Sequence, residues 1–316
     1  MLGVILDGDS LGRDIDLSPV TDLLDDWQVH AYTLPEQVEE RIAGATVVLS
    51  NKIPLNAETT RNNGDLRYIS VMATGTNNVD LTWAKESGIT VSNAVAYATP
   101  SLVQHTISLI LALSNNLPAY TSDVRAGKWQ QSNVFCLLHH PIQEVAGKRL
   151  GIIGYGELGS GVARAAAGLG LEICIAERRG ATEVREGRVS FETVLSTSDY
   201  LTLHCPLTED NQHLINTEAL AMMKSSAFLI NTARGGLVDS TALIEALASG
   251  QIAGAGIDVL DVEPAAEDEP LITDMNNLLV TPHNAWGAIE SRTRLVTQMK
   301  ENIEGFLAGN PPRVVN

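Results

Sequence analysis

The chain is poor in aromatic residues (4%), holds three cysteines, and sets 21 basic against 38 acidic side chains in 316 residues. Each shortage excludes something. A formal net charge of -17 withholds the basic footprint that a nucleic-acid partner needs. It leaves room for a small anionic substrate, because a few local arginines and helix ends set the potential inside a cleft. Cys136, Cys174 and Cys205 lie far apart and read as buried thiols of a reducing compartment. No Cys-x-x-Cys or His-x-x-x-His spacing points to a metal, and none is expected. Long apolar runs are missing as well: the stretch 107–113 is interrupted by serine and falls far short of the ~20 residues of a membrane span. The opening residues Met1 to Asp7 lack the basic region of a signal peptide. Neither a solenoid repeat nor a low-complexity segment occurs. The expectation is a cytoplasmic protein with neither nucleic acid nor membrane as partner.

What is present suits a globular α/β protein: 44% of residues are hydrophobic, and the length allows about two domains. Short β-like runs at 4–6, 47–49, 67–72 and 90–92 alternate with helical stretches at 35–43 and 81–87, the pattern of a parallel sheet with helices on its faces. A long helical pattern starts at Pro100 and runs to a break at Leu117-Pro118, and residues 121–148 read as irregular. A second alternation follows, with strands at 150–153, 172–176, 200–204, 227–231, 253–259 and 278–280 and helices such as 239–249. That is a doubly wound sheet of about six strands. The last helical stretch, 286–307, is expected to return to the first domain.

Gly154-Tyr155-Gly156-Glu157-Leu158-Gly159 is a dinucleotide fingerprint between a strand and an alanine-rich helix. Gly154 permits the tight turn, Gly156 the approach of a pyrophosphate, and Gly159 close packing of helix on strand, with the helix N-terminus toward the phosphates. Glu177 ends the next strand, 18 residues past Gly159, near the ~20 expected of an acid that binds a ribose diol. A carboxylate there favours NAD(H) and repels a 2′-phosphate. Arg178 and Arg179 pull the other way, since a guanidinium beside the ribose tolerates NADP(H), which stays open as the weaker alternative. Cys205-Pro206-Leu207 follows another strand and is expected to cover the adenosine side.

Three further segments each follow a strand-like run: Asn231 to Gly236, Asp258 to Pro264, and Thr281 to Trp286. They bring a guanidinium, a carboxylate and an imidazole to strand ends. Taken singly, Arg234, Glu263 and His283 are ordinary surface or turn residues. Together they sit where open α/β sheets bind ligands, and they are the parts that hydride transfer at a 2-keto acid requires. Arginine's planar fork binds carboxylate and keto oxygens bidentately. Histidine supplies the proton, and a carboxylate beside it fixes its tautomer.

These motifs, with His204-Cys205-Pro206-Leu207-Thr208, resemble the D-isomer-specific 2-hydroxyacid dehydrogenase family over essentially the whole chain. Leu6 to Gly12, Asn51 to Leu55, Ala73 to Asp80 and Pro282 to Gly287 look most like its glycerate dehydrogenase (hydroxypyruvate reductase) subgroup. The resemblance implies two doubly wound parallel-sheet domains, a Rossmann NAD-binding domain (98–287) inserted into a flavodoxin-like substrate domain (1–97 plus 288–316). It implies Arg234, Glu263 and His283 as the catalytic set, and Asn51 with the amides of Thr74 and Gly75 as substrate contacts. Thr74, Thr106, Tyr155 to Leu158, Glu177, Cys205, Pro206, Asn211, Thr232 to Arg234, Asp258, and His283 with Ala285 and Trp286 fall where relatives touch NAD. It further implies a homodimer and NAD(H)-dependent reduction of hydroxypyruvate, with glyoxylate a poorer substrate, and the reverse oxidation of D-glycerate. Many relatives carry Asp where this chain has Glu177. Formate dehydrogenases of the superfamily carry Gln in place of Glu263, which sets this chain apart from them. Another D-2-hydroxy acid dehydrogenase, or an NAD(H)-sensing binding protein, remains as an alternative.

Overall fold

The computed structural model describes residues 1–316, which divide into two compact units, Met1–Ala98 with Gly287–Asn316, and Thr99–Trp286. In the first unit, strands β1 (Leu2–Ile5), β2 (Asp26–Val29), β3 (Val47–Ser50), β4 (Tyr68–Val71) and β5 (Thr90–Ser92) form one sheet in the order β2-β1-β3-β4-β5. Every pairing is parallel, which is the flavodoxin order. β3 and β4 are buried at all four positions, as expected of strands covered on both faces. β2 has no counterpart among the strands expected from the sequence. It is a mostly exposed edge strand reading Asp-Trp-Gln-Val, without apolar alternation, and is defined only by its register on β1. Helices α1 (Ser18–Thr21), α2 (Val38–Arg41) and α3 (Leu81–Glu86) lie in the connections, and the long α10 (Ile289–Leu307) belongs to the same unit. α10 buries Leu295, Val296, Met299 and Ile303, and Phe306 stacks on Tyr68 with ring centroids 4.5 Å apart.

The second unit opens with α4 (Thr99–Ser114) and α5 (Leu117–Arg125). Pro118 does not end the helical region: it sits in the first turn of α5, where a missing N–H costs nothing. Helix therefore extends into the stretch expected to be irregular. Strands β6 (Arg149–Ile153), β7 (Glu172–Ile175), β8 (Tyr200–Leu203), β9 (Phe228–Asn231), β10 (Gly254–Ile257) and β11 (Leu278–Val280) follow, with helices α6 (Glu157–Gly168), α7 (Phe191–Thr197), α8 (Thr217–Met222) and α9 (Ser240–Ser249) between them. The sheet order is β11-β10-β9-β8-β6-β7, all parallel. Beyond β7, Val189 adds a single parallel bridge to Ala176, a one-residue remnant of a third strand, so that Val189, β7, β6, β8, β9 and β10 follow the 3-2-1-4-5-6 order of a dinucleotide-binding sheet, with β11 as a seventh. Leu109, Ile110 and Leu113 of α4 share a core with Leu150, Ile152, Val162 and Ala166. The three cysteines are free and half-buried rather than buried. No helix is long and apolar enough to cross a membrane.

Candidate active site

The carboxyl ends of β9, β10 and β11, neighbours in the sheet, carry the guanidinium, the carboxylate and the imidazole. Fully buried Asn231 ends β9 and shapes the loop after it: its Oδ1 accepts from the Ala233 amide at 3.0 Å and its Nδ2 donates to the Arg234 carbonyl at 2.8 Å. Arg234 is thereby held at the turn with its side chain exposed. Its only side-chain hydrogen bond runs to the carbonyl of Ala233, at 2.7 Å, and no carboxylate neutralises it. A guanidinium set at a strand end and left without an anion is free to take one. Gly235 must be glycine, because a Cβ there would lie 1.9 Å from the carbonyl carbon of Leu260.

After β10 the chain turns so that Glu263 Oε1 accepts from the Leu260 amide at 2.9 Å, which orients the carboxylate, while Oε2 lies 2.5 Å from His283 Nδ1. The carboxylate fixes the ring proton on Nδ1 and leaves Nε2 without a partner. His283 adopts a left-handed backbone, φ 49°, held by its amide donating to the carbonyls of Asp258 (2.8 Å) and Thr281 (3.0 Å). Asp258 is the anchor of this loop. Only 1% exposed, it accepts from Thr281 Oγ1 at 2.6 Å and from the amides of Asn284 and Ala285, each at 3.0 Å. His105 of α4 reaches Thr281 Oγ1 at 3.0 Å, Ser101 donates to the Ala285 carbonyl at 2.7 Å, and Trp286 Nε1 donates to the His283 carbonyl at 2.9 Å. Asp258, expected beside the cofactor, thus turns its carboxylate to the loop. The anchoring roles of Asn231, His105 and Thr281 carry no sequence signal, since motif spacing does not show which backbone groups a side chain will meet.

At β6 the three glycines answer to three different geometries. Gly154 has φ 91°, and a Cβ on it would lie 2.5 Å from the Cys205 amide; a Cβ on Gly159 would lie 2.1 Å from the Gly154 carbonyl oxygen; a Cβ on Gly156 would meet nothing within 4 Å. The first two are packing requirements, and the third leaves open room beside the first turn of α6. No side chain caps α6, whereas Ser190, Asn216 and Asp239 cap α7, α8 and α9. The amides at the α6 N-terminus therefore stay available to an anion, and these residues fit a dinucleotide pyrophosphate. Around this turn, Tyr155 and Glu157 are exposed and Leu158 is half-buried, and Glu157 accepts from Thr99 Oγ1 at 2.6 Å. Half-buried Cys205 and exposed Pro206 follow β8. Asn211 braces that loop, accepting from the Thr208 amide at 2.7 Å and donating to the Pro206 carbonyl at 2.8 Å. Thr106 and Thr232 are buried and joined at 3.1 Å. His204 is half-buried, its Nδ1 is buried without a partner, and desolvation pushes its pKa down to about 4.

Glu177 differs from what the sequence suggests. It is 5% exposed, and its carboxylate is fully engaged. Oε1 accepts from Arg185 Nη2 (2.5 Å) and the Arg178 amide (2.9 Å); Oε2 accepts from Arg185 Nε (2.7 Å) and the Arg185 amide (3.3 Å). The Arg185 guanidinium, foremost, holds the Glu177 carboxyl down at about 2.

In the first unit, the amides of Thr74 and Gly75 follow β4 without an intramolecular acceptor. Asn51 is 5% exposed; its amide donates to Asp7 Oδ1 at 2.9 Å and its Nδ2 to Ser10 Oγ at 3.1 Å. One cluster lies apart from all of these: Asp123 of α5 accepts from Lys128, His139 and His140.

The chain belongs to the D-isomer specific 2-hydroxyacid dehydrogenase family, a family of oxidoreductases, whose NAD binding domain is matched by residues 107–285; the cofactor is accordingly a nicotinamide dinucleotide. Among curated proteins it is similar to the glycerate dehydrogenase of Methylorubrum extorquens, 44% identical over 89% of this chain and 88% of that one. It is also similar to the hydroxypyruvate reductase of Blautia hydrogenotrophica, 38% identical over 89% and 88%. Among solved structures, a Thermus thermophilus protein matches with a TM-score of 0.86 at 30% identity, each chain covered in full.

Proposed function

We propose that this protein reduces hydroxypyruvate to D-glycerate, and more weakly glyoxylate to glycolate, and runs the reverse oxidation of D-glycerate, with NAD(H) as cofactor. The observation that carries the reading is the 2.5 Å pair of His283 Nδ1 and Glu263 two strand ends from an arginine without an anion. The relatives named glycerate dehydrogenase and hydroxypyruvate reductase support the choice of substrate. In this reading the α6 N-terminus with Gly154, Gly156 and Gly159 holds the pyrophosphate. When bound, a reduced nicotinamide supplies the hydride to C2 of the keto acid. Arg234 binds the carboxylate and keto oxygens through its fork and stabilises the negative charge that develops on the keto oxygen. Protonated His283 donates its Nε2 proton to that oxygen, leaving a neutral imidazole with its remaining proton on Nδ1. Glu263 stabilises the charged ring before transfer and keeps it oriented throughout. The amides of Thr74 and Gly75, which lack internal acceptors, are further donors suited to a carboxylate.

We also infer a homodimer. Trp129, Val134, Phe135, Leu138 and Ile142 are all at least half exposed along one stretch of the second unit, an apolar surface suited to a second copy. Sedimentation at micromolar concentration checks this. The function itself is tested by a panel of 2-keto acids assayed with NADH and with NADPH. Hydroxypyruvate is expected to give the highest kcat/KM; a clear preference for pyruvate or a branched-chain keto acid overturns the substrate, and tight NADH binding without turnover overturns the enzyme.

A further inference from the structure

A carboxylate offers about four acceptor positions. On Glu177 all four are filled, two by the fork of Arg185 and two by backbone amides. The acid at the end of β7 would ordinarily take the hydroxyls of an adenosine ribose and reject a phosphate at its 2′ position. Here it has neither a free lone pair for the first task nor an uncompensated charge for the second. Beside it lies a cavity of about 280 Å³ walled by Glu177, Arg178, Thr182, Ser190, Phe191 and Glu192, among others. Arg178 is exposed and its guanidinium has no partner, whereas neighbouring Arg179 lies over the Phe191 ring and near Glu218. Arg185 thus compensates the charge of Glu177, while Arg178 and Glu192 line the cavity beside it.

We propose that Arg185 sets the nucleotide selectivity of the site: by saturating Glu177 it removes the discrimination against a 2′-phosphate, and Arg178 then binds that phosphate, so the protein takes NADP(H) as readily as NAD(H). Arg185 is a positioning residue in this account and Arg178 the contact. The inference rests on the reading of the α6 N-terminus as a dinucleotide site, and its test separates the two.

The test is calorimetric binding of 2′,5′-ADP and of 5′-ADP to the full-length protein. Wild type is expected to bind the two within about tenfold of each other. Arg178→Gln weakens 2′,5′-ADP by about ten- to a hundredfold, the range of a charged hydrogen bond, and leaves 5′-ADP unchanged. Arg185→Gln frees Glu177 and shifts the ratio by a similar factor toward 5′-ADP. Because this shift acts through Glu177, it largely disappears when Arg185→Gln is made on a Glu177→Gln background. Arg185 is more than half exposed, and far-UV circular dichroism checks that each variant folds. A wild-type preference for 5′-ADP above a hundredfold overturns the proposal. So does a ratio insensitive to Arg185→Gln, or a shift that persists in full without Glu177, which would make Arg185 itself the phosphate ligand. Wild type binding neither nucleotide overturns the dinucleotide reading and the inference with it.

Discussion

His283 occupies a backbone region that side chains avoid, at a cost of about 1–3 kcal/mol, and two carbonyls and a loop anchored on Asp258 hold it there. The protein maintains this conformation at the one residue whose ring reaches Glu263. Replacing the ring removes the proposed proton donor without disturbing that anchor, so His283→Ala is expected to lower kcat by about 10²–10⁴-fold while the melting temperature stays close to wild type. Steady-state kinetics with hydroxypyruvate give the answer, and a near-normal kcat removes His283 from the chemistry. Arg234 makes a different demand. Lysine keeps the charge but presents a point rather than a fork, so Arg234→Lys is expected to raise KM for the keto acid and to lower kcat together. If both constants are unchanged, the carboxylate is bound by other groups.

Glycines at two element junctions separate packing from binding. A Cβ on Gly235 would drive into the backbone of Leu260 and Asp261, the start of the turn that orients Glu263. Gly235→Ala is expected to destabilise the fold by about 1–3 kcal/mol, as overpacking does, and to lower kcat by disturbing the His283–Glu263 pair. Gly156→Ala meets no protein atom, so the denaturation midpoint is expected to hold while nucleotide affinity falls; urea titration and calorimetry on both variants distinguish the two cases. Such junctions are readable in the sequence because motif spacing and strand periodicity are local properties. The strands β6 and β8 to β11 end in motifs, and their apolar runs announce them. β2 is hidden because an exposed edge strand needs no apolar alternation, only a neighbour to pair with. α5 is hidden because Pro118 reads as a terminator when it stands in a first turn. The Glu177–Arg185 clamp is hidden for another reason: the pair closes a loop over eight residues, a spacing with no periodic signature, so the acid is legible and its neutralisation is not.

At the scale of the whole molecule, the titrating groups give stability a direction in pH. Burial lowers the pKa of His204 from 6.5 to about 4, and it lowers that of His30 as well. Between these limits the unfolded chain binds a proton that the folded one refuses, so stability rises with pH across the window and is lost as pH falls from about 6.5 toward 4. For His204 this amounts to about 3 kcal/mol at most. Carboxyls held low by their partners, among them Glu177 beside Arg185 and Asp123 beside Lys128, act in the same direction but at lower pH, below their unfolded values and down through their folded ones. Asp7 opposes them: desolvation raises its pKa, so acid relieves a buried charge there. The histidine window therefore comes first on acidification. Urea unfolding at pH 7, 5.5 and 4.5 is expected to show a steadily falling midpoint, and a His204→Gln variant, which has no ring to protonate, should lose most of that slope while being less stable than wild type at pH 7. An unchanged slope in the variant would show that the acid sensitivity arises elsewhere, with the remaining histidines as the groups to test next.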